Sequence, residues 1–211
     1  MPRVLTESDL ADFREKLIAA ATRLFAEKGR EGFTMREVAG QLGVSAMTPY
    51  RYFKDKDEIL AAVRANAFNR FADALENAFG AEGDAVARAR KVGEAYIMFA
   101  FGDSPSYRLM FDMSQPEEKT YPALVQATAR ARKTMTDYVR ALVAQGMLKG
   151  DPILMGHVFW AALHGAVVLQ LAGKLGDECD FPTVTEEAFR AIGAGFGRPR
   201  PAPKEPAGAS A

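Results

Sequence analysis

Residues 34–53 read TMREVAGQLGVSAMTPYRYF and hold the densest set of groups able to act on a partner. Ser45, Thr48, Tyr50, Arg51 and Tyr52 bring hydroxyl and guanidinium donors together in one short stretch. Donors of this kind pair with phosphate oxygens and base edges; none is a general base or a strong metal ligand. Elsewhere the reactive types are sparse. The two histidines, His157 and His164, are seven apart, which on one helix separates them by roughly 10 Å, too far for a shared metal ion. Cys179 is the single cysteine, with no base beside it in sequence and no mate for a disulfide or a cysteine zinc site. The chain shows no glycine-rich phosphate loop. No catalysis, no metal and no cofactor are expected.

The elements that must position those donors are helical. No strand alternation persists, and apolar residues recur at helical spacing from Asp9 to Phe196, so an all-α fold is predicted. Ser8 is the expected cap of a first helix with Phe13, Leu17, Ala20, Ala21, Leu24 and Phe25 on one face, stopped at Gly29. Thr34-Met35-Arg36-Glu37 is a capping box, which starts a second helix reaching Leu42. Ser45 is expected to cap a third over residues 45–53. Longer helices follow: one capped by Asp55 or Asp57 and ended by Gly80, one from Asp84, one at Ser104-Pro105, one over residues 122–145. Asp151-Pro152 then opens a long apolar helix closed by Gly176, and Thr183 begins a last one. Beyond Gly197 the proline-rich segment reads as a disordered tail.

Taken together, residues 34–53 form an αα corner. Val38, Ala39 and Leu42 supply its inner face, Val44 plugs it, and Gly43 tolerates the left-handed backbone the turn needs. The second arm then stands proud with Ser45, Thr48, Tyr50, Arg51 and Tyr52, as helix-turn-helix proteins present a helix to the major groove. Between Val44 and Lys56, Arg51, Lys54 and Lys56 stand against Asp55, a local basic excess. Residues 8–60 resemble the TetR family of bacterial repressors. The shared positions are Leu24-Phe25, Glu27, Gly29, Thr34, Arg36, Val38-Ala39, Gly43-Val44-Ser45, Tyr50, Tyr52-Phe53 and Lys56. The resemblance implies that Thr34, Ser45, Tyr50, Tyr52 and Lys56 meet phosphates. It implies that Arg36 and the face of Ala46, Met47, Thr48, Tyr50 and Arg51 meet base edges. Pro49 departs from the pattern, where the family carries Leu, Ile or Phe.

Farther along, Phe159-Trp160-Ala161-Ala162-Leu163-His164-Gly165 resembles a Trp-x-x-x-His-Gly element of one TetR branch. Trp160 and His164 are four apart and share a helix face, and Gly165 is expected to admit another helix closely. That face reads either as core or as the border of an effector pocket, completed by Tyr96, Phe99, Met110, Phe111 and Met113. Methionines and aromatics line adaptable apolar cavities, and they fill ordinary cores equally well.

The whole therefore reads as a three-helix DNA-binding head (1–56), a helical effector-binding and dimerisation body (57–196) and a tail (197–211). The expected function is a repressor that binds a palindromic operator on double-stranded DNA as a homodimer and is released by an apolar or aromatic small molecule. The composition agrees: of 211 residues 48% are hydrophobic, enough for a core, while 27 basic and 27 acidic residues cancel, so any basic surface must be local. The first residues turn charged before an apolar run develops, so no secretory signal is read and a cytoplasmic location is expected. Residues 153–173 carry no charge and are long enough to cross a bilayer. His157, His164, Gln170 and several glycines within them favour a helix buried in protein, with no membrane partner. From another class, a helical adaptor that docks a protein on the 34–53 corner fits the same residues.

Overall fold

The computed structural model describes residues 6–112 and 117–196; the tail and Met113 lie outside them. Eight α-helices run through the described residues, which hold no strand, only one isolated bridge between Gly176 and Cys179. They are α1 (Glu7–Gly32), α2 (Met35–Gln41), α3 (Lys56–Phe79), α4 (Ala85–Gly102), α5 (Ser104–Met110), α6 (Pro122–Ala144), α7 (Pro152–Leu171) and α8 (Phe181–Gly195). The chain forms two compact units, one ending at Thr134 and one beginning at Met135.

Local chemistry sets the helix ends. The cap of α1 lies two residues before the expected one. Thr6 wins over Ser8 because Asp9 answers it: Asp9 N–H donates to Thr6 Oγ1 (3.1 Å) and Thr6 N–H donates to Asp9 Oδ2 (2.9 Å). Gly29 breaks the helical path with φ 69° and ψ −176°, where a side chain would be strained. Thr34 and Glu37 close the capping box of α2 as the sequence predicts. Asp55, not Asp57, caps α3 by accepting from Glu58 N–H at 2.9 Å.

The third helix expected over residues 45–53 does not form as an α-helix. Pro49 has no N–H, so the Ser45 carbonyl lacks its i+4 donor and accepts from Thr48 N–H at 2.8 Å instead. The tighter pattern continues from Arg51 N–H to Thr48 O and from Tyr52 N–H to Pro49 O, leaving a turn and a 3-10 helix, Pro49–Arg51.

In the first unit the core gathers Leu17, Ile18 and Leu24 of α1, Phe33, Met35 and Val38 around α2, Phe53, and Ile59, Leu60 and Val63 of α3. Leu109 of α5 joins the same cluster, so the head's interior is closed by a residue far along the chain. Arg30 ties the end of α1 to Asp57 at 3.1 Å. Farther down α3, Arg70 donates to Asp103 (2.8 Å) and Ser106 Oγ (3.0 Å), and Arg130 of α6 reaches Glu76 and Asp73.

The second unit holds the end of α6 with α7 and α8. Gly156 lets α7 lie against α6: a Cβ there would stand 2.6 Å from the Met135 carbonyl oxygen. The close approach expected at Gly165 is not made within the chain, since a Cβ there would meet open space. α7 ends at Leu171, with Gly173 taking φ 64°, earlier than the Gly176 stop. α8 begins at Phe181 under an Asp180 cap, ahead of Thr183. The reading of α7 as a buried helix needs correction. Of this span, long and apolar enough to cross a membrane, 28% is buried, and Ile153, Val168 and Leu169 are exposed. α8 has no buried residue.

Candidate functional site

The corner at 34–53 is built from a helix, a glycine turn and a proline turn. Gly43 takes φ 65°, and Val44 N–H donates to Ala39 O at 3.1 Å, which folds the chain back on α2. Val38, Ala39, Pro49 and Phe53 are buried beneath the corner. Above it, Arg36, Ser45, Ala46, Met47, Tyr50, Arg51 and Lys54 are exposed, while Thr48, Tyr52 and Lys56 are half-buried. The proposed DNA-contacting residues thus lie in one unit, most of them open to solvent.

Several of them also have structural duties. Thr34 donates its hydroxyl to Glu37 Oε2 at 3.0 Å, and Lys28 Nζ reaches Glu37 Oε1 at 2.6 Å. The Lys28 ammonium first, then the Thr34 hydroxyl and amide, hold the Glu37 carboxyl below its ordinary range. Tyr52 packs on Phe13 with ring centroids 5.2 Å apart, and the Lys56 ammonium lies 4.9 Å above the Phe33 ring. Ser45 Oγ accepts from Met47 N–H at 3.4 Å. The guanidinium of Arg51 and the ammonium of Lys54 are exposed cations beside this scaffold.

One member was not legible in the sequence. Arg14 of α1 lies 4.7 Å over the Phe53 ring and lines, with Leu10, Ala11, Arg51 and Tyr52, a groove of about 270 Å³. Thirty-odd residues separate Arg14 from Arg51, so no local spacing announces a second cation at this edge.

The residues expected to line an effector pocket divide. In the first unit Tyr96, Phe99, Met110 and Phe111 come together with others. Phe71 touches Tyr96 and Phe99 edge-on at 5.1 and 5.2 Å, and Tyr107 touches Tyr96 and Phe111 at 5.9 and 5.1 Å. The Tyr96 and Tyr107 hydroxyls meet at 2.6 Å, and burial raises the Tyr107 phenol well above its ordinary pKa. Tyr96, Tyr107 and Met110 are each 1% exposed. Beside them Arg64 is a buried cation. It donates to the Met110 carbonyl at 3.3 Å while its Nε finds no partner, and burial lowers its pKa despite Glu118 and Asp112 nearby. Trp160 and His164 belong to α7 in the second unit, both half-buried. His157 lies edge-on to Trp160 at 6.1 Å, its Nδ1 2.7 Å from Ile153 O. Burial lowers the His164 pKa below the ordinary imidazole value.

Residues 17–63 match the family described as bacterial regulatory proteins, tetR family, and residues 89–194 match the tetracyclin repressor-like C-terminal domain. An HTH-type transcriptional activator, FasR of Mycolicibacterium smegmatis, is 30% identical over 132 residues, 63% of this chain and 59% of that protein. The chain thus spans less than two thirds of that relative. A protein of unknown function from Rhodococcus sp. RHA1 superposes with TM-score 0.75 at 28% identity, covering 88% of this chain and 95% of its own. FadR of Bacillus subtilis, solved in complex with stearoyl-CoA, superposes with TM-score 0.68 at 17% identity, covering 86% and 98%. At that identity the likeness is one of fold.

Proposed function

Since the chain belongs to the TetR family of bacterial transcriptional regulators, we propose that it is a ligand-responsive repressor that binds a palindromic operator as a homodimer. The observation that carries the reading is the corner itself. A buried underside of Val38, Ala39, Pro49 and Phe53 holds an exposed row of Arg36, Ser45, Met47, Tyr50, Arg51 and Lys54 at helix-turn-helix spacing. Ser45, Tyr50, Tyr52, Lys54 and Lys56 serve phosphates in this reading, with Thr34 contributing from its capping box. Arg36 and the 46–51 face serve bases. A single proline-shortened arm reads too few bases for genomic specificity, so two copies act together. The exposed apolar residues of α7 and the unburied face of α8 are the natural surface for the second copy. Its place of action is the cytoplasm, where the operator is.

The effector is an apolar small molecule. A long acyl chain is the favoured class, because the Bacillus subtilis neighbour was solved with stearoyl-CoA and the first unit carries a continuous aromatic row beside buried Arg64. Control passes to the head through α3, which begins just after the 3-10 turn, and α5, whose Leu109 closes the head core. An effector acts only as far as it prefers the arrangement in which the two heads no longer match the groove. Activation is the second reading, favoured by the description of the Mycolicibacterium smegmatis relative as an activator.

Sequencing the genomic fragments that the purified chain selects tests the proposal. A shared inverted repeat, with binding that weakens as salt rises, supports it. Fragments without a common sequence refute it and favour a protein-docking corner. A reporter downstream of the selected site separates repression from activation.

A further inference from the structure

Among the described residues Arg64 of α3 is the only charged side chain that is buried, at 8% exposure. A guanidinium stays protonated at any working pH, so the positive charge is taken out of water with it. One bond compensates: Nη2 donates to the Met110 carbonyl at 3.3 Å, while Nε has no partner. Asp112 and Glu118 act on it through space alone, too weakly to offset burial, and the Glu118 carboxylate is engaged by the Thr128 hydroxyl. An apolar side chain of similar volume in a buried ion's place is often neutral or stabilising, so packing gives no reason for an arginine here. A buried cation with an unused donor fits an anion supplied from outside the chain.

Its neighbours describe the rest of that molecule. Arg64, Phe68 and Phe71 stand at i, i+4 and i+7 and share the buried face of α3. Phe68 meets Phe111 edge-on at 5.9 Å, and Phe111 directly follows the residue whose carbonyl Arg64 binds. On the other side, Leu60 and Val63 belong to the head core. The cation therefore stands at one end of an aromatic row, where α3 leaves the head core. That order, a charge and then an apolar row, suits an anion with an alkyl tail. With Asp112 and Glu118 close, a single negative charge is tolerated better than the roughly two of a phosphate monoester, which selects a carboxylate.

We propose that Arg64 anchors the carboxylate of a fatty-acid effector, with its alkyl chain laid along Phe68, Phe71 and Phe111. The inference rests on the acyl-effector reading above and names the head group that this reading leaves open. Leu60, Val63 and the end of α5 flank Arg64, so the bound anion acts where α3 and α5 meet the head core.

The test is calorimetric titration of the full chain with decanoate and with methyl decanoate, which keeps the chain and removes the charge. Decanoate should bind saturably and about ten- to a hundredfold more tightly than the ester. Arg64→Met should erase that preference, leaving the two probes alike. Its thermal midpoint should match or exceed the parent's, since the substitution removes an uncompensated buried charge. A variant that melts lower and still prefers decanoate makes Arg64 structural and overturns the proposal. A parent that binds both probes equally overturns the carboxylate anchor and keeps the acyl-effector reading. A parent that binds neither overturns both.

Discussion

α1 is densely charged and α7 carries no charge at all, yet α1 hides its apolar residues better. Leu17, Ala20 and Ala21 of α1 are 0% exposed, covered by α2, α3 and Leu109 within one unit. On α7 five residues are buried, while Ile153, Val168 and Leu169 stand open. An amphipathic helix has one apolar stripe and needs one neighbour; a helix apolar all round needs cover on every side. The head core is closed within its own unit, with Leu109 of α5 supplying part of the cover. The α7–α8 pair leaves Ile153, Val168 and Leu169 of α7 uncovered.

The largest expected effect breaks the complete side. Phe33→Ala removes a fully buried ring from the head core and should cost about 3–5 kcal/mol, read as a lower thermal midpoint with loss of operator binding. A variant that melts like the parent would deny Phe33 a place in the head core. Next, Leu169→Glu puts a carboxylate on the open face of α7. Burying that charge in a dimer should cost roughly 3 kcal/mol or more, a hundredfold in dimer dissociation, and give a monomer in sedimentation at micromolar concentration. Since Leu169 is already exposed, the melting of the monomer should barely move; a large drop would place it in the core instead.

Within the head, Arg51→Ala should cost on the order of 1–3 kcal/mol at the selected site alone. Lys54→Ala and Lys56→Ala should weaken all sequences alike and reduce the salt dependence. Equal affinities for all three variants and the parent would take recognition away from this segment. The smallest effect concerns α7. Burial lowers the His164 pKa in the folded chain, so above the unfolded value of about 6.5 the ring is neutral in both states. As pH falls from there through the folded pKa, the unfolded chain takes up the proton first and stability is lost. His164→Gln should flatten this acid-side slope of a denaturant titration, and an unchanged slope would show that another group carries it.

Much of the head was legible in its residues because its signals are local. Thr34 and Glu37 announce a capping box, Gly43 a left-handed turn, and Leu17 to Leu24 a buried stripe. The misreadings were local as well, and each has a physical cause. Ser8 looked like a cap, but Thr6 has the reciprocating Asp9. Residues 45–53 looked helical, but Pro49 withholds one N–H and the segment tightens into a 3-10 turn. Gly165 looked like the close contact, but Gly156 is where α6 leaves no room for a Cβ.

What the chain's order of residues determined by itself is the all-helical pattern, the capping box of α2, the left-handed turn and the family motif of residues 17–63. Each depends on interactions spanning four residues or fewer, or on the period of apolar side chains along one helix. Only the tertiary structure decided that Leu109 closes the head core, that Arg14 and Arg51 share a groove, and that buried Arg64 lies beside Met110. It also decided which faces of α7 and α8 stay uncovered. These are meetings between residues dozens of positions apart, and hydrophobic burial, being non-directional, leaves no mark in sequence of which distant residue will supply the cover.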